Sequence, residues 1–193
     1  MKKAGKKNAY IPRVLMMVLT TVLIGVIVAI MLVVGQIQGT ARVVNYAGLV
    51  RGETQRIIKL ENASLPQDGM IDDVTSFIAG LRFGSKELQL VRLNDVNFQN
   101  KMAELSDEFE TLKKEIQLVR TVGYHQTDII QQSEDFFAIC DEATGLAAAY
   151  SQRRATILSY LENVAAADIV ALVALIALEL FHALQFAAQN RVL

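Results

Sequence analysis

The side chains that could do chemistry are few, and the most suggestive of them gather in one stretch, Arg42-Val43-Val44-Asn45-Tyr46-Ala47-Gly48-Leu49-Val50-Arg51-Gly52-Glu53-Thr54-Gln55-Arg56. On a helix, Asn45, Gly48 and Arg51 recur at steps of three and Gln55 stands one turn beyond Arg51, so the four share one face. Glycine costs about 1 kcal/mol relative to alanine inside a helix, so Gly48 and Gly52 need a reason, and close approach of a second helix supplies one. An arginine beside such a glycine is carried toward that second helix, and its planar guanidinium matches an oxyanion bidentately. Arg51, Asn45, Gly48 and Gln55 are therefore the candidate ligand-binding set, with a small anion as ligand. The competing reading leaves Arg51 and Arg56 solvated or paired with Glu53 or Glu61.

Elsewhere the chain offers no machinery for catalysis. It contains no GxGxxG, P-loop, HExxH, GxSxG or paired CxxC motif, so neither an enzymatic activity nor a bound cofactor or metal is expected. His125 and His182 are far apart in sequence and read as a solvated tip residue and an interfacial or packed one. Cys140 is the lone cysteine and cannot form an intrachain disulfide; it reads as a small apolar core residue.

The elements that must position this stretch follow from composition. Two prolines, no tryptophan and no sustained period-two alternation point to an all-α protein. The apolar residues cluster near both ends. Residues 14–35 form an uncharged run about 33 Å long as a helix, which matches the thickness of a bilayer core. Lys2, Lys3, Lys6, Lys7 and Arg13 precede it, so the N-terminal segment 1–13 is expected in the cytoplasm. Residues 164–185 form a second apolar run, interrupted by Asp168, Glu179 and His182. It reads as a second crossing, the alternative being an amphipathic core helix. Asp168 and Glu179 are eleven residues apart and return to within about 20° of each other around a helix. That shared face either packs on another membrane helix or leaves the two acids near opposite headgroup layers.

Between the runs, residues 36–163 carry 13 Lys and Arg against 18 Asp and Glu, a net −5 that excludes a nucleic-acid binder. Four helices are expected there. The first continues out of the membrane to about residue 61 and breaks at Ser64-Leu65-Pro66-Gln67-Asp68-Gly69; a second covers 70–82. Residues 88–96 are helix or connector. A third helix carries the stripe Leu105, Phe109, Leu112, Ile116 and Val119, followed by a turn at Gly123-Tyr124-His125. Thr127 is the expected N-cap of a last helix with the seam Ile129, Phe136, Cys140, Ala143, Ala147, Tyr150, Ile157 and Leu161. The predicted fold is a membrane-anchored, antiparallel four-helix-bundle sensor domain flanked by two transmembrane helices, with a cytoplasmic signalling helix beginning at 186–193.

Asn-Tyr-Ala-Gly-Leu-Val-Arg-Gly-Glu-Thr-Gln-Arg, directly after an N-terminal apolar helix, resembles the Asn-x-Ala-Gly-x-x-Arg-Met-x-Ser-x-Arg signature of nitrate/nitrite sensor histidine kinases and type IV pilus chemotaxis transducers. It is also similar to the sensory regions of bacterial diguanylate cyclases. The resemblance implies a homodimer in which Arg51 meets its symmetry mate around an anion, with Ala47 and Gly48 allowing close packing. Leu49 and Gly52 depart from the usual Ser and Met, so the resemblance does not imply nitrate as the ligand. Together these readings predict a multi-pass protein of the inner (plasma) membrane, with its central domain extracytoplasmic. It would sense a cue there and relay it through the last helix to a cytoplasmic output domain or protein. The alternative is a stand-alone structural or adaptor membrane protein that docks on another signalling subunit.

Overall fold

The computed structural model describes residues 10–189. Among them are four α-helices and no strand: α1 (Tyr10–Asn62), α2 (Asp68–Phe83), α3 (Val96–Val122) and α4 (Ile129–Gln189). The protein is all-α. Lys2, Lys3, Lys6 and Lys7, and residues 190–193 of the expected signalling helix, lie outside the described residues. The chain divides into two compact units, Gln36–Arg154 and a pair of terminal segments, 10–35 and 155–189 as described.

The Gln36–Arg154 unit is built on one buried cluster to which all four helices contribute, among them Val50, Val74, Phe98, Phe109 and Phe136. On α3 the buried positions are Phe98, Met102, Leu105, Phe109, Leu112, Ile116 and Val119, the expected stripe extended toward the N-terminus. The extension has a local cause. Asp95 caps the helix, its Oδ1 accepting from the Phe98 N–H at 3.0 Å, while its Oδ2 accepts from Arg153 at 2.8 Å. On α4, Ile129, Phe136, Cys140, Ala143 and Ala147 are buried, but Ile157 is 43% exposed and belongs to the other unit.

The connections differ from expectation in one cap and settle one ambiguity. Thr127 does not cap α4: its hydroxyl turns back to donate to the Tyr124 carbonyl at 2.9 Å, and Asp128 precedes the helix instead. Residues 84–95 are a connector pinned by an antiparallel bridge, with Ser85 N to Leu90 O at 2.9 Å and Leu90 N to Ser85 O at 2.8 Å. That connector explains two glycines. A Cβ on Gly80 would sit 2.9 Å from Leu90 Cδ1 and 3.1 Å from Leu88 Cδ1, and one on Gly39 would sit 2.9 Å from Val91 Cγ2. Close approach thus falls at Gly39 and Gly80, whereas a Cβ at Gly48 or Gly52 would meet nothing within 4 Å.

The terminal unit is made of the apolar ends of α1 and α4. These two helices are long and apolar enough to cross a membrane. Their large side chains are exposed, among them Met31, Leu32, Val170 and Phe181. A surface of that kind is stable in lipid or under a cover, not in water.

Candidate functional site

The α1 segment behind the candidate residues is helical because its apolar positions fall on one stripe: Thr40, Val43, Ala47, Val50, Thr54, Ile57, Ile58 and Glu61 are buried. Thr54 is accommodated because its hydroxyl donates to the Val50 carbonyl at 2.7 Å. Asn45, Gly48, Gly52 and Gln55 lie outside this stripe and are exposed. Ala47, which the resemblance puts at close packing between chains, is buried in the protomer's own core.

Arg51 sits at the edge between these two faces, its side chain 39% exposed. Its Nε lies 3.0 Å from Oδ1 of Asp141 on α4, and its guanidinium carbon stands 5.6 Å from the centre of the Phe137 ring. The Nε is buried, yet its N–H is not aimed at the carboxylate, so the contact is an ion pair without a directed hydrogen bond. Asp141 is itself 63% exposed, and pairs of that kind contribute about 0–1 kcal/mol. Arg51 is therefore held loosely, by a carboxylate that sequence spacing could not reveal. The structure brings Arg51 to Asp141 and Phe137, and leaves Asn45, Gly48 and Gln55 exposed.

The carboxylates proposed as competitors for Arg51 have other partners. Glu53 lies 3.9 Å from Arg56. Glu61, 4% exposed, accepts from Arg120 on α3 through both oxygens, at 3.0 Å from Nε and 2.5 Å from the terminal nitrogen. Arg120 also donates to Asp68 at 2.7 Å. These hydrogen bonds, that to Glu61 foremost, raise the Arg120 pKa above its ordinary value despite partial burial. Beside Arg51, Cys140 is buried and its thiol is pushed up to about 12, mainly by burial and then by Asp141, with Arg51 opposing. It is a core residue, and the thiolate is disfavoured there.

No family model, curated protein or solved structure matches this chain.

Proposed function

We propose that the chain is a transmembrane sensory module of a bacterial signalling protein, homodimeric in the membrane, with the Gln36–Arg154 unit outside the cytoplasm as a four-helix bundle. One observation carries this reading: α1 and α4 are each a single helix containing both core residues of that unit and an apolar stretch of membrane-crossing length. A helix of that composition can pass a small slide or rotation across a bilayer. The receiver would be a cytoplasmic output domain or protein.

Arg51 is the residue on which an anion would act. The exposed face of Asn45, Gly48, Gly52 and Gln55, with open space at both glycines, suits the close approach of a second copy, which would bring two Arg51 side chains toward each other. Two guanidiniums near one axis repel, and an oxyanion bridging them relieves that repulsion. Such an anion competes with Asp141 for Arg51, so ligand binding weakens the α1–α4 ion pair at this point. That competition gives the ligand a mechanical handle on α4.

Topology is the first test. In intact cells of a Cys140→Ser background, an impermeant maleimide is expected to label a cysteine placed at Gln117 and to miss one placed at Lys3. Labelling at Lys3, or protection at Gln117 that persists in intact cells and vanishes on permeabilisation, would refute the orientation.

A further inference from the structure

The Gln36–Arg154 unit has one end at which α1 enters and α4 leaves, and the 84–95 connector closes that end. Val91 of the connector lies against Gly39, one helical turn past the apolar run 14–35, and Asp95 holds Arg153, the next-to-last residue of the unit. Charge is divided unevenly between this end and the remainder. Segments 36–44, 80–98 and 147–154, which make up the end, carry six Lys and Arg against Glu87 and Asp95, a net +4. The rest of the unit carries seven Lys and Arg against fifteen Asp and Glu, a net −8.

Three of the six cations have work within the unit. Arg153 is paired with Asp95, Arg154 donates to the Tyr150 hydroxyl at 2.9 Å, and the Arg82 guanidinium stands 5.0 Å from the centre of the Phe83 ring. The other three, Arg42, Lys86 and Arg92, are exposed and form no ion pair among the described residues. Arg92 reaches only the side-chain oxygen of Asn94, at 3.4 Å. Large apolar side chains share this end: Phe83, Val91 and Val96 are 66%, 46% and 73% exposed. Unpaired cations interleaved with exposed apolar groups match a surface that is anionic outside and apolar just beneath.

We propose that this end of the unit rests on anionic phospholipid, with Arg42, Lys86 and Arg92 on lipid phosphates and Phe83, Val91 and Val96 at the boundary of headgroups and acyl chains. The proposal rests on the membrane-spanning reading given above, under which Gly39 stands only four residues, about 6 Å, beyond the outer end of the apolar run. Cations are drawn to an anionic lipid surface within about a Debye length, about 8 Å at physiological ionic strength. A second copy meeting this end with its own would bring the same unpaired cations and be repelled. Because Val91 lies against Gly39, lipid that holds the connector also bears on α1 where it leaves the apolar run.

The test uses the full chain in the Cys140→Ser background, reconstituted in vesicles of phosphatidylcholine and phosphatidylglycerol, with an environment-sensitive fluorophore on Val96→Cys or, at the opposite end of the unit, on Ile130→Cys. Quenching is measured with headgroup-proximal spin labels carried by either lipid at the same mole fraction. Spin-labelled phosphatidylglycerol is expected to quench the Val96 probe about twice as strongly as spin-labelled phosphatidylcholine, and neither should quench the Ile130 probe. Arg42→Gln, Lys86→Gln and Arg92→Gln together should make the two lipids equal at Val96. A Val96 probe that emits as in water and is not quenched overturns the proposal. So does equal quenching by the two lipids in the native chain, or a preference that survives the triple substitution. A chain extracted from the vesicles by alkaline carbonate refutes the membrane reading and the proposal with it; an inserted chain whose Val96 probe ignores phosphatidylglycerol refutes the proposal alone.

Discussion

Arg51 and Arg120 each join a helix to a carboxylate on another, yet they are built for different tasks. Arg120 grips Glu61 with two nitrogens, and that carboxylate is buried at the end of α1 with no other ion-pair partner among the described residues. Arg51 reaches Asp141 with one nitrogen, without a directed hydrogen bond, and both side chains see solvent. The two pairs show where the unit is held firmly and where it is held weakly. A buried bidentate pair is expensive to break because one charge is left stranded. A half-exposed ion pair can exchange its partner at little cost.

The largest effect should come from breaking the fixed end. Arg120→Ala strands Glu61 and is expected to cost about 3–5 kcal/mol in reversible unfolding followed by circular dichroism in detergent. Arg51→Ala, with its single ion pair and its contact to Phe137, should cost about 1 kcal/mol. Equal losses would erase the distinction.

The glycines sharpen the same comparison at smaller scale. Gly48→Ala meets open space and should stabilise the isolated protomer by about 1 kcal/mol through helix propensity. Gly80→Ala should forfeit that gain, because its Cβ presses on Leu90, Leu88 and Ser85. If the proposed dimer forms through the exposed α1 face, a cysteine at Gly48 should form disulfide-linked dimers in membranes while one at Ala47, buried in the protomer, should not.

Cys140 reports whether the core behind Arg51 stays closed. Its thiol has a pKa of about 12 in the folded unit, above the ordinary 9.0, because burial opposes the thiolate. A pKa raised on folding means that the associated stability is complete below pH 9 and is lost between pH 9 and 12, as the unfolded thiol ionises first. At pH 8 the thiol should ignore Ellman's reagent until denaturant is added; rapid reaction in the native protein would show the core open.

Periodicity made the α-helical class and the α3 stripe legible, because apolar spacing on a helix reports directly which face is buried. The α3 start is legible as well, because Asp95 stands just before Val96 in a preferred capping type. The partners of the two arginines were not legible. Arg120 lies 59 residues from Glu61 and Arg51 lies 90 from Asp141, and pairing across such distances depends on how helices rotate against one another. The same holds for the glycines: close packing needs Gly39 and Gly80, whose neighbours lie in a connector with no periodic signal. A Cβ added at Gly48 or Gly52, conspicuous in the motif, would meet nothing within 4 Å.

The most direct test of the account is whether an anion takes Arg51 from Asp141. Thermal unfolding of the full chain in detergent is followed with nitrate, nitrite or small carboxylates against chloride at equal ionic strength, for the native chain, Arg51→Ala and Asp141→Asn. One anion is expected to raise the melting temperature of the native chain, Arg51→Ala to abolish the rise, and Asp141→Asn to enlarge it by removing the competitor. Identical responses in all three proteins would contradict this and leave Arg51 as one more surface ion pair.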